Sequence, residues 1–205
     1  MPSFTNGDVE IAYLDEGEGE PIVLVHGFAS TKEINWAQPG WIGTLNRAGR
    51  RAVALDNRGH GASSKLYDPA AYHSAAMADD VRALLNHLKI ERADIIGYSM
   101  GGMQASTIGL NHPEVFAYVA AMSGNARESA LTKALADPER TNKDFKLIWL
   151  GCGTDDNAVN GGRALDKVLT NKGIHHEWVE SPGYRHDYQI WRIYLRDLLP
   201  KLFRD

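Results

Sequence analysis

Short apolar runs alternate with amphipathic segments along most of the chain. Seven runs have the length of a strand, and several are apolar at every position, which is typical of strands covered on both faces of a sheet. The predicted strands lie at residues 9–14, 21–25, 52–55, 93–97, 117–122, 146–150 and 176–180.

Between these runs, apolar side chains recur at the spacing of a helix. The predicted helices lie at residues 74–89, 101–111, 163–171 and 188–199. We expect Ser74 to cap the first helix and the second to end before Pro113. Strands that alternate with helices predict an α/β fold with a mostly parallel central sheet and helices on both faces. Active sites in such sheets form beyond the carboxyl ends of the strands, so the residues that follow each apolar run are the candidates for function.

The composition narrows the class of protein. A chain of 205 residues is long enough for one domain, residues 1–205, with a full hydrophobic core. The net charge of −4 argues against nucleic acid as a partner, because phosphate binding needs a basic face. The single cysteine, Cys152, cannot form an internal disulfide. No run reaches the roughly 20 apolar residues of a membrane span and no signal peptide is evident, so we expect a cytoplasmic protein without membrane contacts.

The strongest chemical signal is the segment G-Y-S-M-G at residues 97–101, which follows a predicted strand and opens a predicted helix. In this G-x-S-x-G pattern, small neighbours allow a sharp turn that presents the central serine, Ser99, at its tip. The helix also directs partial positive charge toward developing negative charge. The alternative is a glycine-rich turn with an incidental serine. We favour Ser99 as a nucleophile because of its place between strand and helix.

Three motifs, in this order, resemble those of one family. They are V-H-G-F at residues 25–28, D-N-R-G-H-G-A-S at residues 56–63 and G-Y-S-M-G-G at residues 97–102. The chain resembles the α/β-hydrolase superfamily over nearly its whole length. The resemblance implies the α/β-hydrolase fold, and it implies that Ser99 acts as the nucleophile of a serine hydrolase.

The resemblance also implies the partners of Ser99, since a free serine is a poor nucleophile and needs an oriented base. It places the base at His186, in the turn S-P-G-Y-R-H after the last predicted strand. The acid is expected in G-C-G-T-D-D after the sixth predicted strand, where Asp156 and Asp155 are both candidates. We favour Asp156, because the family's spacing of a glycine, two residues and an aspartate ends on it. Asp155 is then expected to be a solvated carboxylate or a helix cap.

The oxyanion hole of such an enzyme needs two backbone N–H donors. The family pattern gives one donor to Met100, the residue after the nucleophile. It gives the other to Phe28, in the loop after the second predicted strand. The side chains of Phe28 and Met100 are expected to line the pocket near the acyl group.

The resemblance changes along the chain. Up to about residue 97, the sequence is similar to lactone- and lipase-type hydrolases, which normally carry a helical cap. From about residue 98, it is similar to the feruloyl-esterase and esterase D group, through L-G-C-G-T-D-D and the Gly-Tyr-Arg-His turn followed by Trp191. We interpret this change as a recombined or engineered chain that is joined near Ser99.

The short segment at residues 124–145 leaves room for about one helix, near residues 126–136, and for no substantial cap domain. An open site of this kind favours short-chain or aryl esters, so the resemblance implies a carboxylesterase or arylesterase with a small-molecule ester substrate. No cofactor is implied, and no group of residues has the spacing of metal ligands. The alternative is a weakly active or non-catalytic hydrolase scaffold that serves for binding. The sequence does not indicate the oligomeric state.

Overall fold

A sheet of eight strands runs through the middle of the computed structural model, which describes residues 1–202. The strands are β1 (Ser3–Asn6), β2 (Val9–Glu16), β3 (Glu20–Val25), β4 (Arg50–Leu55), β5 (Ala93–Tyr98), β6 (Phe116–Met122), β7 (Leu147–Gly153) and β8 (Glu177–Ser181). Their spatial order is β1-β2-β4-β3-β5-β6-β7-β8. Only the β1–β2 and β2–β4 pairings are antiparallel, so the predicted mostly parallel sheet is confirmed.

All seven predicted strands are present, with ends that shift by up to three residues. The prediction does not include β1, because its sequence S-F-T-N contains one apolar side chain, Phe4, and no run that signals a strand. Antiparallel pairing with β2 holds β1 at the sheet edge. Phe4 packs there against Tyr13, with ring centroids 6.1 Å apart.

Helices cover both faces of the sheet, as predicted. The α-helices are α1 (Trp41–Arg47), α2 (Ser74–His87), α3 (Met100–Asn111), α4 (Thr132–Ala136), α5 (Pro138–Asp144), α6 (Val159–Asn171) and α7 (Tyr188–Leu198). The expectation that Ser74 caps α2 is wrong. Ser74 is already helical, and the extended residue before it, His73, accepts a hydrogen bond from the Ala76 N–H. The sequence does not predict α1. This helix has 7 residues and follows an irregular π-helical turn at Glu33–Ala37, so its apolar side chains do not form a long periodic segment.

The core has two parts, one on each face of the sheet. Successive residues of β3 alternate between them: Val23 and Val25 join one cluster, and Ile22 and Leu24 join the other. This alternation explains why the sequence of β3 is apolar without a break. α2, α3 and α6 pack on the first cluster, and α1 and α7 pack on the second.

The connection between β6 and β7 is short, as expected, but it does not hold one helix at residues 126–136. Instead, it contains a 3-10 turn (Glu128–Ala130) followed by α4 and α5. Asp137 lies between the two helices, and its carboxylate caps α5 by accepting the Arg140 N–H at 3.0 Å. Pro138 is the first residue of α5, where its missing N–H costs nothing. Within residues 1–202 there is no cap domain over the carboxyl edge of the sheet.

The parallel strands β3 to β8 all end at this edge, which we call the carboxyl rim. The residues that follow β3, β5, β7 and β8 therefore meet there, although they are far apart in sequence. None of the helices described in residues 1–202 combines the length and the apolar character that crossing a bilayer requires.

Candidate active site

Ser99 stands at the turn from β5 to α3 in a backbone conformation that is rare for a residue with a side chain. Its φ is 55° and its ψ is −121°. The turn is held by hydrogen bonds from the Ser99 N–H to the Met122 carbonyl at 2.8 Å and from the Met103 N–H to the Ser99 carbonyl at 3.1 Å. Strain of this kind costs on the order of 1–3 kcal/mol and persists only where the surrounding structure enforces it. The backbone conformation of Ser99 directs its side chain away from the sheet, as the G-x-S-x-G pattern predicts.

The turn requires small neighbours. A Cβ atom on Gly97 would come within 1.9 Å of the Gly101 carbonyl oxygen, and one on Gly124 would come within 1.9 Å of the Ser99 carbonyl oxygen. Both contacts are with backbone atoms, which cannot move aside as the end of a side chain can. The glycines around Ser99 therefore allow β6 and α3 to approach the turn closely.

His186 and Asp156 meet at the same rim. The Nδ1 atom of His186 lies 3.0 Å from Oδ1 and 2.9 Å from Oδ2 of Asp156. The Asp156 side chain is fully buried, whereas the His186 side chain is 34% exposed. Burial by itself would raise the pKa of the Asp156 carboxyl, but hydrogen bonds from His186 and from the Ala158 N–H outweigh it and hold that pKa below its ordinary value. Asp156 is thus an ionised carboxylate that orients the imidazole.

Asp155, the other candidate acid, does not face His186. It is exposed, and its carboxylate accepts a hydrogen bond from the Thr154 hydroxyl at 3.1 Å. The described hydrogen bonds of residues 1–202 leave the Nε2 atom of His186 and the Oγ atom of Ser99 without protein partners. The bond between nucleophile and base is often long without substrate, so this arrangement is compatible with their joint action.

His26 fixes the loop that follows β3. Its Nδ1 lies 2.7 Å from the Gly27 carbonyl oxygen, and its Nε2 accepts the Asn57 N–H at 2.9 Å, so the neutral ring carries its proton on Nδ1. The carbonyl of Gly27 and the N–H of Phe28 belong to one trans peptide group and point in opposite directions. The Phe28 N–H is thereby directed away from His26. The Gly27 N–H is held separately by the Asn35 side chain at 2.8 Å.

Both expected oxyanion donors lie near Ser99. Gly27, the neighbour of Phe28, packs so closely on the turn that an added Cβ would lie 3.1 Å from the Ser99 Cβ. Met100 opens α3 directly after Ser99. No hydrogen bond described in residues 1–202 occupies the backbone N–H of Phe28 or Met100. The Phe28 side chain is 74% exposed, so it borders an open face rather than a closed pocket.

A buried ion pair beneath this loop is a feature that the sequence did not predict. The Lys32 and Asp56 side chains are both fully buried, with Nζ 2.5 Å from Oδ2. Asp56 also accepts the backbone N–H of Lys32 at 2.9 Å and of Ala62 at 2.8 Å. Burial would raise the pKa of Asp56, but Lys32 and these N–H groups lower it further than burial raises it. The pair ties the loop after β3 to the loop after β4. Lysine is almost never fully buried unless paired, and no sequence pattern signals the exception.

Among residues 1–202, no three His, Cys, Asp or Glu side chains converge in a way that could hold a metal ion. Cys152 is fully buried next to this region, and burial together with nearby Asp156 raises the pKa of its thiol to about 12. The thiol is therefore protonated, as expected for a small buried side chain rather than a nucleophile.

The neutral state of His26 predicts a loss of stability in acid. Burial is the main cause that lowers the pKa of His26 from 6.5 to about 4 in the folded protein. The unfolded chain takes up this proton near pH 6.5, so the stabilisation is complete above that pH and is lost as the pH falls toward 4. The difference between the pKa values of His26 in the unfolded and folded chain corresponds to roughly 3 kcal/mol of unfolding free energy. Urea unfolding at about pH 7.5 and about pH 4 would measure it, with His26→Asn as the reference variant.

The wild type and the His26→Asn variant share all other titrating groups. One of them is Asp94, where burial raises the pKa of the carboxyl to about 6 despite the nearby Arg50. Their contributions cancel in the comparison. We expect the stability advantage of the wild type over His26→Asn to shrink by roughly 3 kcal/mol in acid. An advantage that stays constant between the two pH values would contradict the neutral, buried His26.

Comparison with known proteins connects this arrangement to a family. The family model for the alpha/beta hydrolase fold matches residues 20–147, which is more than half of the chain. The non-heme chloroperoxidase CPO-A1 of Kitasatospora aureofaciens is 37% identical over 103 residues, which are 50% of this chain and 36% of that protein. The fluoroacetate dehalogenase of Burkholderia sp is 35% identical over 111 residues, which are 53% of this chain and 35% of that protein. An endo-1,4-beta-xylanase/feruloyl esterase of Xylanibacter ruminicola is 32% identical over 108 residues, which are 53% of this chain and 14% of that protein.

The chain thus spans about a third or less of the length of these curated relatives. Solved structures match it more completely. The enol-lactonase from Burkholderia xenovorans LB400 has a TM-score of 0.77 at 20% identity, covering 99% of this chain and 100% of that one. A structure from a study of carboxylesterases of the thaumarchaeon Nitrososphaera gargenis has a TM-score of 0.74 at 19% identity, covering 98% of this chain and 99% of that one. These structural likenesses agree in fold with the match to the family model, and the chain belongs to the α/β-hydrolase fold family.

Proposed function

We propose that this protein hydrolyses carboxylic esters through an acyl-enzyme intermediate on Ser99. The observation that carries the proposal is the pairing of the His186 imidazole with a buried carboxylate, that of Asp156, at the rim where Ser99 stands in its strained turn. An oriented base and a partly buried serine hydroxyl at the same edge of the sheet suit nucleophilic acyl transfer.

In the proposed reaction, the Ser99 Oγ attacks the ester carbonyl carbon while the His186 Nε2 takes the hydroxyl proton. The N–H groups of Phe28 and Met100 hold the oxyanion of the tetrahedral intermediate. The bond to the alcohol oxygen then breaks, and His186 returns the proton to the leaving alcohol. Water attacks the acyl-enzyme by the same steps and releases the acid. Asp156 stays ionised throughout and stabilises the imidazolium.

The identity of the nucleophile favours acyl transfer over the chemistry of some relatives. Displacing a halide or opening an epoxide with a serine hydroxyl would leave an alkyl ether on the enzyme, and water does not readily cleave an ether. A carboxylate nucleophile would leave an ester, which water does cleave. The hydroxyl of Ser99 therefore suits esters, whereas dehalogenation and epoxide opening call for aspartate at this position.

The open rim supports small or aromatic substrates. The connection from β6 to β7 has only the short helices α4 and α5, and the rings of Phe28 and Tyr188 are 74% and 40% exposed. Such a surface offers a flat aromatic contact but no enclosing wall for a long chain. We therefore propose short-chain or aryl esters as the substrate class.

Replacing Ser99 tests the function directly. We expect Ser99→Ala to lower kcat/KM for p-nitrophenyl acetate by at least about 10³-fold, since nucleophile loss leaves only binding and oxyanion stabilisation. The matched control is Ser129→Ala, which removes an exposed hydroxyl outside the proposed machinery. A fluorophosphonate probe should label the wild type at Ser99, as read by peptide mapping. Equal rates for wild type and Ser99→Ala would instead support the scaffold interpretation, including that of a recombined chain with little activity.

The two adjacent aspartates provide a second test with a built-in control. Asp156→Asn should lower kcat by about 10³–10⁴-fold, because an amide no longer stabilises the imidazolium or fixes its tautomer. Asp155→Asn should change kcat by less than about twofold, since an exposed carboxylate that does not face His186 adds little. Steady-state kinetics on both purified variants would measure the difference. The reverse pattern would move the acid to Asp155.

Acyl-chain length tests the substrate class. A closed acyl pocket would gain about 0.8 kcal/mol for each buried methylene, or roughly fourfold in kcat/KM. At the open rim we expect no such gain beyond butyryl in a series of p-nitrophenyl esters from acetyl to octanoyl. A steady rise to octanoyl would show a long apolar pocket and contradict the proposed class.

A further inference from the structure

The His186 ring needs more than one constraint to act on Ser99. It lies on a segment without helix or strand between β8 and α7, and its described protein hydrogen bonds in residues 1–202 all go from Nδ1 to Asp156. A hydrogen bond at one atom leaves the ring free to tilt about that contact. Residues 1–202 place no cap domain above the site, so we look for the second constraint on the side of the ring that faces the sheet.

We propose that Tyr98, the residue before the nucleophile, is a positioning residue that holds the His186 imidazole in line with Ser99. This inference rests on the ester hydrolysis proposed above. The Tyr98 ring centroid lies 5.0 Å from that of His186, with the planes at 45°. This is the distance of a direct contact between aromatic rings.

Tyr98 is suited to this role because it is buried in the centre of the sheet. It is the last residue of β5, in the centre of the sheet, and it pairs with Met122 of β6. Its side chain is 5% exposed and packs against Trp191 of α7. The His186 ring is thus placed against a side chain that the sheet and α7 contact on other sides.

The same ring touches the oxyanion loop. A Cβ atom on Gly27 would lie 3.2 Å from the Tyr98 Cδ1 and 3.1 Å from the Ser99 Cβ. One side chain therefore sets the spacing between the loop that carries Phe28 and the ring of His186. Burial and the charges of Asp156 and Asp187 raise the pKa of the Tyr98 phenol, so the group stays neutral and does not compete for the proton of Ser99.

The test compares three variants in hydrolysis of p-nitrophenyl acetate. Tyr98→Leu removes the ring, Tyr98→Phe keeps it, and Tyr118→Leu makes the same truncation toward the amino end of β6 in the same apolar cluster. We expect Tyr98→Leu to lower kcat on the order of 10²-fold with little change in KM, because a base displaced by about 1 Å loses this much. Tyr98→Phe should restore kcat to within about threefold of the wild type.

The control variant separates positioning from simple packing. Tyr118→Leu and Tyr98→Leu should both lower the melting temperature, but Tyr118→Leu should keep the wild-type kcat. If Tyr98→Leu does not fold, Tyr98→Met, which keeps an apolar side chain of similar length but no ring, takes its place with the same expected loss. A folded ringless variant with the wild-type kcat, or a loss in Tyr98→Phe equal to that in Tyr98→Leu, would overturn the role of the ring.

The outcomes also distinguish this inference from the function on which it rests. Equal rates for wild type and Ser99→Ala would overturn both. An active wild type that depends on Ser99, together with an unchanged kcat in the ringless variant, would overturn the role of Tyr98 alone.

Discussion

Backbone contact at the Ser99 turn is the constraint on which the rest of the site depends. A Cβ on Gly101 would come within 2.0 Å of the Val25 carbonyl oxygen, so α3 touches the end of β3 directly. Because Gly97 and Gly124 have no side chains, the start of α3 and the residues after β6 approach the Ser99 turn equally closely. This packing enforces the positive φ of Ser99, which no local preference would select. It also brings the loop that begins where β3 ends against Ser99.

Two buried carboxylates at the carboxyl rim show how similar electrostatics produce different roles. Asp56 and Asp156 both have a pKa below the ordinary value, because hydrogen-bond donors overcome the effect of burial. Asp56 faces Lys32, a fully buried cation, and the pair fixes two loops. Asp156 faces His186, whose ring is partly exposed to water at the carboxyl rim. The nature of the partner, rather than of the acid, separates a structural carboxylate from one suited to proton transfer.

The sequence predicted those parts of the molecule that follow from periodicity or from a motif. The buried parallel strands were found because both faces of each strand are covered, and Ser99 was found because its turn demands a glycine pattern. β1 and α1 were not found, since a short edge strand and a short helix have too few apolar positions to form a signal. The predicted start of α2 at residue 74 agrees with the structure, but the cap is His73 and not Ser74. Capping depends on which residue is extended, and sequence alone does not fix this at neighbouring polar positions.

The candidate site was predictable in a similar way. Asp156 and His186 follow strands and fit a family pattern, so their positions were expected, and the structure brings their side chains together. The contacts of Lys32 and Tyr98 could not be predicted, because they arise across the fold. Lys32 meets a partner 24 positions away, and Tyr98 meets His186 only where β5 and the segment after β8 approach each other.

An open rim changes what must hold the side chains of the candidate site in place. A closed site excludes water, which strengthens each electrostatic interaction inside it. Here the His186 side chain is 34% exposed. Water therefore screens electrostatic attraction between His186 and its neighbours, and such attraction is a weaker means of fixing the position of the ring. Geometry must then come from packing beneath the ring, and both Asp156 and Tyr98 are attached to strand ends of the same sheet. The geometry of this site therefore depends on the rigidity of the sheet, since residues 1–202 contain no cap domain that covers it.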